Sequence, residues 1–346
     1  MNTMDLLTRT RRSVRGQSVD RIPVFPILIA PACRIMGVKQ RDYFTNSEVL
    51  ADTLLGAREK FGFDGIYVSR DNWVYHEALG GKLEFPEDDE TFSKEVILSR
   101  MKDFRNLTVP DPWNSSGMKT VLEAAKRVVE KTDNKYYIQA NIDTGPYSLA
   151  SVLRGAQPFI LDLYDENRKD VEDFLKFCTD VVVAYGKAMI GTGVHAIQMG
   201  DSTASLLGSD LFKEFVLPYL NDALERLSGT ECDLWVHICG DTRHLLPLLK
   251  ELPMDGFEVD ALVDMNTARK FLGDKIAIKG NIDTSFILQA TENEVYEASI
   301  NLLRNGSFKT GIILSPGCGV PKMTPVENLT AMVRASHDYI IPNNFN

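Results

Sequence analysis

Two residues near the middle of the chain pair an imidazole with a thiol. His237 and Cys239 lie in the apolar run Leu234-Trp-Val-His-Ile-Cys-Gly240. In an extended strand side chains alternate between faces, so residues two apart point the same way. One face then offers a nitrogen and a sulfur donor together. Both are zinc ligand types, with bonds of roughly 2.0 to 2.3 Å, and a complete site needs at least one further protein ligand. Cys318, in Ser315-Pro-Gly-Cys-Gly319 at the end of a second apolar run, is the candidate third ligand. The competing reading makes each cysteine a small core hydrophobe and His237 a hydrogen-bonded core residue. The chain holds only five cysteines and five histidines. Two strand ends that close in Cys-Gly therefore favour the metal reading.

A donor set of this kind needs a scaffold that brings distant strand ends together. The chain has 346 residues, 44% hydrophobic and 25% charged, as expected of a soluble globular protein with a large core. A net charge of −10 argues against a nucleic-acid partner, because a phosphate backbone would be repelled. An odd number of sparsely spaced cysteines fits a reducing compartment. No stretch has the length or apolarity of a signal peptide or a membrane span. The expectation is a cytoplasmic protein that engages neither membrane nor nucleic acid.

Apolar, β-rich runs at 23–30, 66–69, 136–141, 194–200, 234–240, 256–260, 276–280 and 311–315 alternate with helical periodicity at 47–61, 118–132, 167–191, 210–228, 242–252, 266–272 and 292–305. Eight strands separated by helices predict an α/β fold, a single (β/α)8 barrel spanning 1–346. A helical lead-in occupies 1–20, and the connection at about 70–134 is enlarged enough for a lid or a partner surface. Barrel active sites lie at the C-terminal ends of the strands. Ser69 and Asp71, Asn141 and Asp143, Asp201 and Ser202, His237 and Cys239, Glu258 and Asp260, Asn281 and Asp283, and Cys318 all fall there. Asp143, Ser202 and Asp283 read best as turn or cap residues.

Several of these pieces together resemble the uroporphyrinogen decarboxylase superfamily. They are Arg21-Ile-Pro-Val24, Asp71 seven residues before Ala78-Leu-Gly80, Gly145-Pro-Tyr-Ser-Leu-Ala150, Asp201-Ser202 followed by Phe215-Val-Leu-Pro-Tyr219, and Gly280-Asn-Ile-Asp283. The resemblance spans nearly the whole chain and implies the barrel fold. The superfamily includes decarboxylases and cobamide-dependent methyltransferases, and two features separate them. The decarboxylases' arginine-bearing segment after the first strand is reduced here to Arg34, so an octa-acid porphyrinogen would lack its cationic receptors. The methyltransferase branch is marked by His-x-Cys and a distant Cys-Gly, which match His237, Cys239 and Cys318.

That branch implies a zinc-dependent methyltransferase moving a methyl group between a separate corrinoid protein and a second substrate, most simply a thiol such as coenzyme M. Zinc suits the task because a coordinated thiol loses its proton at neutral pH. The fourth zinc position is open among Asp260, Glu258 and water. Asp71, which aligns with the decarboxylases' catalytic aspartate, joins Asp201 and Asp260 as a candidate catalytic carboxylate. No Asp-x-His-x-x-Gly corrinoid motif occurs, so the corrinoid must arrive on a partner, with Trp73, Tyr75 and His76 as a possible docking surface. The alternatives are a demethylating enzyme, passing methyl from a methoxy or methylamine-type donor to cob(I)alamin, and a metal-free uroporphyrinogen decarboxylase.

Overall fold

The computed structural model describes residues 3–306, 308 and 310–341; residues 1, 2, 307, 309 and 342–346 of the expected 1–346 span lie outside it. Seven parallel strands form one curled sheet in chain order: β1 (Gly65–Val68), β2 (Tyr137–Thr144), β3 (Ala196–Gly200), β4 (Asp233–His237), β5 (Gly256–Glu258), β6 (Ala277–Ile282) and β7 (Ile312–Pro316). Helices fill every connection, as parallel pairing requires.

The sheet is buried on both faces, which is why its strands read as apolar runs rather than as alternating patterns. One face carries Ile66, Val68, Ile138, Ala140, Ile197, Met199, Leu234, Val236, Phe257 and Ile278, which pack with the helices in the main core. The opposite, concave face carries Tyr67, Tyr137, Ala196, Trp235, Ala277 and Ile313, which cluster with Phe25 and with Val14 of the N-terminal helix Leu6–Val14. Further along the same alternation, this face turns polar. Gln139, Gln198, His237, Glu258 and Lys279 are all buried. Register holds three of them side by side, His237 opposite Glu258 and Glu258 opposite Lys279.

The expected first strand at 23–30 is a correction. Only Val24 makes a bridge, to Leu314 of β7, and a helix, Ala30–Met36, begins where that strand would end. Pro23 and Pro26 lack the N–H that a ladder needs, so pairing is limited to Phe25 N donating to Leu314 O (3.1 Å) and Leu314 N donating to Pro23 O (2.9 Å). The far side of the segment meets β1 through Asp64 N, which donates to Val24 O at 2.9 Å. Asp64 also draws in the N-terminal helix. Its carboxylate pairs with Arg9 Nη1 at 2.9 Å and Arg21 Nη2 at 2.8 Å, and accepts from Val24 N at 2.9 Å.

Most helices fall where periodicity put them, including Ser47–Phe61, capped by Asn46, and Glu292–Asn305, capped by a Thr291/Glu294 box. The helix expected over 210–228 is instead two, Ser209–Phe215 and Leu217–Leu227, with Pro218 at the start of the second. The segment 242–252 keeps only Leu246–Leu249 helical. The enlarged connection holds Val74–Ala78, a 3-10 turn at Met101–Asn106, and Ser116–Thr132. No helix among the described residues is long and apolar enough to cross a membrane.

Candidate metal centre

His237 is the last residue of β4, and Cys239 follows on the turn beyond it rather than within the strand. That turn is fixed by Asp260 beyond β5, whose Oδ2 accepts from Gly240 N at 2.9 Å. Cys318 arrives on the turn after β7. There Gly317 N donates to Ile282 O at 2.9 Å, and a Cβ on Gly317 would lie 2.5 Å from Ala261 N, so only glycine allows this approach. The ligand atoms of His237, Cys239 and Cys318 all lie within 4.8 Å of one another. His237 Nε2 is 2.8 Å from Cys239 Sγ and 3.7 Å from Cys318 Sγ, and the two sulfurs are 3.5 Å apart.

What lies behind the imidazole fixes which nitrogen is presented. His237 Nδ1 is 3.3 Å from the Glu258 carbonyl oxygen, the geometry of an N–H donating to it, which leaves Nε2 for the sulfur side. The Glu258 carboxylate is also on the Nδ1 side, with Oε2 at 3.7 Å and Oε1 at 2.9 Å from Lys279 Nζ. Lys279 Nζ donates in turn to Gln139 Oε1 at 3.0 Å. Burial works against a charged His237 ring, but the Cys318 hydrogen bond and Glu258 outweigh it and raise its pKa. Hydrogen bonding between the two cysteines lowers the pKa of Cys239 and raises that of Cys318. Ser202 Oγ donates a further bond to Cys239 Sγ at 3.3 Å.

The donor triad lines a cavity of about 400 Å³ together with Tyr67, Asn141 and Gln198. Asn141 Nδ2 donates to the Tyr67 hydroxyl (2.8 Å) and to Gln198 Oε1 (2.7 Å), while Tyr67 also donates to Gln198 (2.8 Å). Asp71 lines the cavity as well, paired with Arg70 Nε at 3.0 Å and accepting from Trp73 N at 3.0 Å. Asp201 takes a different place. It is fully buried beneath Gly145, where it accepts from Ser148 N at 2.7 Å and caps the helix Pro146–Arg154. Burial pushes its carboxyl up to about 6. Asp260 is engaged with backbone, accepting from Leu262 N (2.9 Å) besides Gly240, and neither it nor Glu258 joins the triad's group of ligand atoms.

Trp73 reaches the cavity, but Tyr75 and His76 are buried, so these two do not present the docking surface expected of them. Asp143, expected as a turn residue, lines the cavity with one oxygen accepting from Tyr75 N at 3.1 Å. Its other oxygen has no partner among the described residues, and burial raises its carboxyl to about 7. Sequence reasoning missed Tyr67, Gln198 and Lys279. The one available signal was polar residues at alternate positions inside otherwise apolar strands.

A curled parallel α/β sheet with a His-Cys-Cys donor set where its strands end C-terminally places the protein in the barrel-like class of α/β enzymes. The chain belongs to the uroporphyrinogen decarboxylase (URO-D) family, whose model matches residues 6–339. Among its relatives is the methylcobamide:CoM methyltransferase MtbA of Methanosarcina acetivorans, 30% identical, with 96% of this chain and 97% of that protein aligned. A methylated-thiol–coenzyme M methyltransferase of Methanosarcina mazei is 28% identical over 97% of this chain and 91% of that protein. The solved structure of a methyltransferase from Methanosarcina mazei has the same fold, with a TM-score of 0.88 at 24% identity, covering 97% of this chain and 99% of that one.

Proposed function

We propose that the chain is a zinc-dependent methyltransferase that moves a methyl group between a separate corrinoid protein and a small thiol, coenzyme M being the thiol named for its relatives. The observation that carries this reading is the His237, Cys239 and Cys318 triad on the wall of the cavity. The donor set fits zinc. Bonds of roughly 2.0 to 2.3 Å give a tetrahedron with edges of about 3.5 to 3.8 Å, and the 3.5 Å and 3.7 Å separations agree with it. The third, 2.8 Å, is the distance of a hydrogen bond between His237 and Cys239.

His237, Cys239 and Cys318 would hold the ion, leaving a position for substrate. When bound, zinc supplies the Lewis acidity that lets a coordinated thiol lose its proton at neutral pH. The two cysteine thiolates balance the charge of the ion, so an incoming thiolate keeps its electron density and remains nucleophilic. Ser202 donates to the Cys239 sulfur and holds its orientation. Glu258, through its carbonyl and carboxylate, keeps Nε2 of His237 turned toward the sulfurs. In this reading Asp260 is a positioning residue for the Cys239 turn, and Asp201 is one for the helix that begins beside the cavity. Asp71 orients a substrate or the corrinoid.

A decarboxylase reading has less support. Arg34 is spent on the carbonyls of Lys322 (2.8 Å) and Thr324 (2.7 Å), so it is not free to receive a substrate carboxylate. The methylated-thiol relative favours a second direction, in which a methylthio compound gives its methyl group to the corrinoid. On this proposal the 23–30 segment, with its single bridge to β7 and its contact with Asp64 before β1, closes the seven-stranded sheet into a barrel, the chain works as one domain in the cytoplasm, and the partner docks across the C-terminal ends of the strands. The test is metal analysis of the purified protein with methyl transfer from methylcobalamin to thiols. About one zinc per chain is expected, lost from Cys239→Ala or Cys318→Ala variants that stay folded. A zinc content that neither change alters would refute the assignment.

A further inference from the structure

Tyr75 and His76 are buried, so a partner has to find its surface elsewhere around the triad. Three large apolar side chains stand out in solvent there: Leu206 is 68% exposed, Leu262 65% and Met323 66%. Each lies on a turn beyond the C-terminal end of a strand, Leu206 after β3, Leu262 after β5 and Met323 after β7. That is the end at which barrel sites are built.

Contacts tie all three to the metal donors. Ser202 Oγ donates to Cys239 Sγ at 3.3 Å, and Ser205 Oγ donates to Ser202 O at 2.8 Å. A Cβ on Gly240 would lie 3.5 Å from Ser205 Oγ, which puts Leu206 one residue from the Cys239 turn. Leu262 N donates to Asp260 Oδ1 at 2.9 Å, while Asp260 Oδ2 holds Gly240, and the preceding Ala261 abuts Gly317. Leu262 is thus fixed against both cysteine turns. Met323 follows the cavity-lining residues 318–322, on a turn closed by Thr324 N donating to Pro321 O at 3.0 Å. Cys239 and Cys318 are themselves only half-buried, so the donor set lies near the surface that these residues surround.

The charged side chains on the turns 202–206, 239–243, 260–264 and 317–324 are all spent within the chain. Arg243 Nε donates to Asp241 at 2.8 Å, and Lys322 pairs with Asp88 at 3.0 Å. Asp260 serves backbone N–H groups, and Asp264 caps its own helix through Thr267 N at 2.8 Å. The lip is therefore apolar and carries no free charge, the character of an interaction surface. A second copy seated here permanently would shut the donors away from their reactants, so the occupant must bring a reactant and leave. The methyl-bearing face of a corrin complements the lip, because ring methyls and neutral acetamide arms surround the methyl group on cobalt.

We propose that Leu206, Leu262 and Met323 form the lip that receives the methyl-bearing face of the partner's corrin. This rests on the reading that methyl transfer takes place at the triad. The probe is free methylcobalamin, which presents the same face. Its binding to the zinc-loaded protein is measured by calorimetry without thiol, and its KM in methyl transfer to coenzyme M. Serine replaces each residue singly and all three together. Ile340→Ser is the control, because Ile340 is 86% exposed but follows the helix Val326–Asp338, whose Ser336 meets Arg21 and Ile22 ahead of the first strand.

Each single variant should weaken methylcobalamin binding about fivefold to tenfold and raise its KM alike, as withdrawal of one apolar contact predicts. The triple variant should lose more, with zinc content, melting temperature and the KM for coenzyme M unchanged. Affinity that survives the triple substitution overturns the proposal. So does an equal loss in Ile340→Ser, or a parent protein that holds zinc yet binds no methylcobalamin. A triple variant that keeps its affinity but turns from dimer to monomer in sedimentation also overturns it, making the lip an interface between copies. Failure of the methyltransferase reading is distinguishable, because it appears as absent zinc and no methyl transfer to any thiol.

Discussion

Asp71 sits between Arg70 and its own turn, and this constrains the work it can do. Its carboxylate already pairs with Arg70 and accepts from Trp73 N, so its contribution to a bound substrate is one orienting contact. Losing such a bond costs about 0.5 to 3 kcal/mol, roughly a twofold to hundredfold change in rate. Asp71→Ala should therefore keep measurable methyl transfer and full zinc content, whereas His237→Ala should lose both. An Asp71→Ala enzyme that holds zinc yet is as inactive as His237→Ala would give Asp71 a chemical role. Asp143 makes a prediction about pH. Burial raises its folded-state carboxyl to about 7, above the ordinary unfolded value, so the native state binds the extra proton. Stability should then fall as pH rises from about 4 to 7 and level off above, a loss on the order of 4 kcal/mol at most. Asp143→Asn should flatten that dependence in denaturant unfolding at pH 5 and pH 8; an unchanged slope would mean the carboxyl is ionised throughout. At this scale the triad was legible because a His-x-Cys-Gly and a Cys-Gly, each closing an apolar run, are patterns of residue type, although alternation within the strand does not place Cys239, which lies past the end of β4. Tyr67, Gln198 and Lys279 were not, because a single polar residue inside an apolar run carries no sign of what it faces until its burial is known.

Strand ends and the turns after them set the site, and this is where sequence and structure part most. The run 23–30 has strand composition, but its two prolines cannot donate, so one bridge replaces a ladder. Periodicity over 210–228 ran through Pro218, which begins a second helix rather than continuing the first. The His237 strand was correctly placed, yet Cys239 lies past its end, so its position depends on Asp260 holding Gly240. The matching turn at Cys318 depends on Gly317 lying against Ala261. Gly317→Ala removes no ligand but forces that turn outward. It should weaken zinc binding in chelator competition by at least the tenfold typical of lost support around a metal site, with the fold intact by circular dichroism. Unaltered affinity would show that the turn tolerates the shift.

At the scale of the molecule, Asp64 joins three parts of the chain that are remote from the site. It binds Arg9 of the N-terminal helix, Arg21, and the backbone at Val24, and its side chain is fully buried. Removing one partner of a buried charge network leaves the others uncompensated, at a cost of about 3 to 5 kcal/mol. Asp64→Ala should lose that much in chemical denaturation, and a loss under 1 kcal/mol would mean the two arginines find water. The sheet order and the helices were legible in the sequence because each strand is a buried apolar run. How the first segment meets the last was not, because local periodicity carries no information about contacts between chain ends.

The Val24–Leu314 bridge also bears on synthesis. Val24 and Leu314 are 290 residues apart in the chain (314 − 24), so at roughly 5 to 20 residues per second the 23–30 segment waits on the order of tens of seconds for Leu314 to emerge. Through that interval the edge of an apolar, β-rich segment that faces β7 has no mate, a condition that invites pairing with neighbouring nascent chains. Pro23 and Pro26 withhold two of the donors such pairing would use. The same residues that shorten the native strand to a single bridge thus keep the unfinished polypeptide from recruiting the wrong partner.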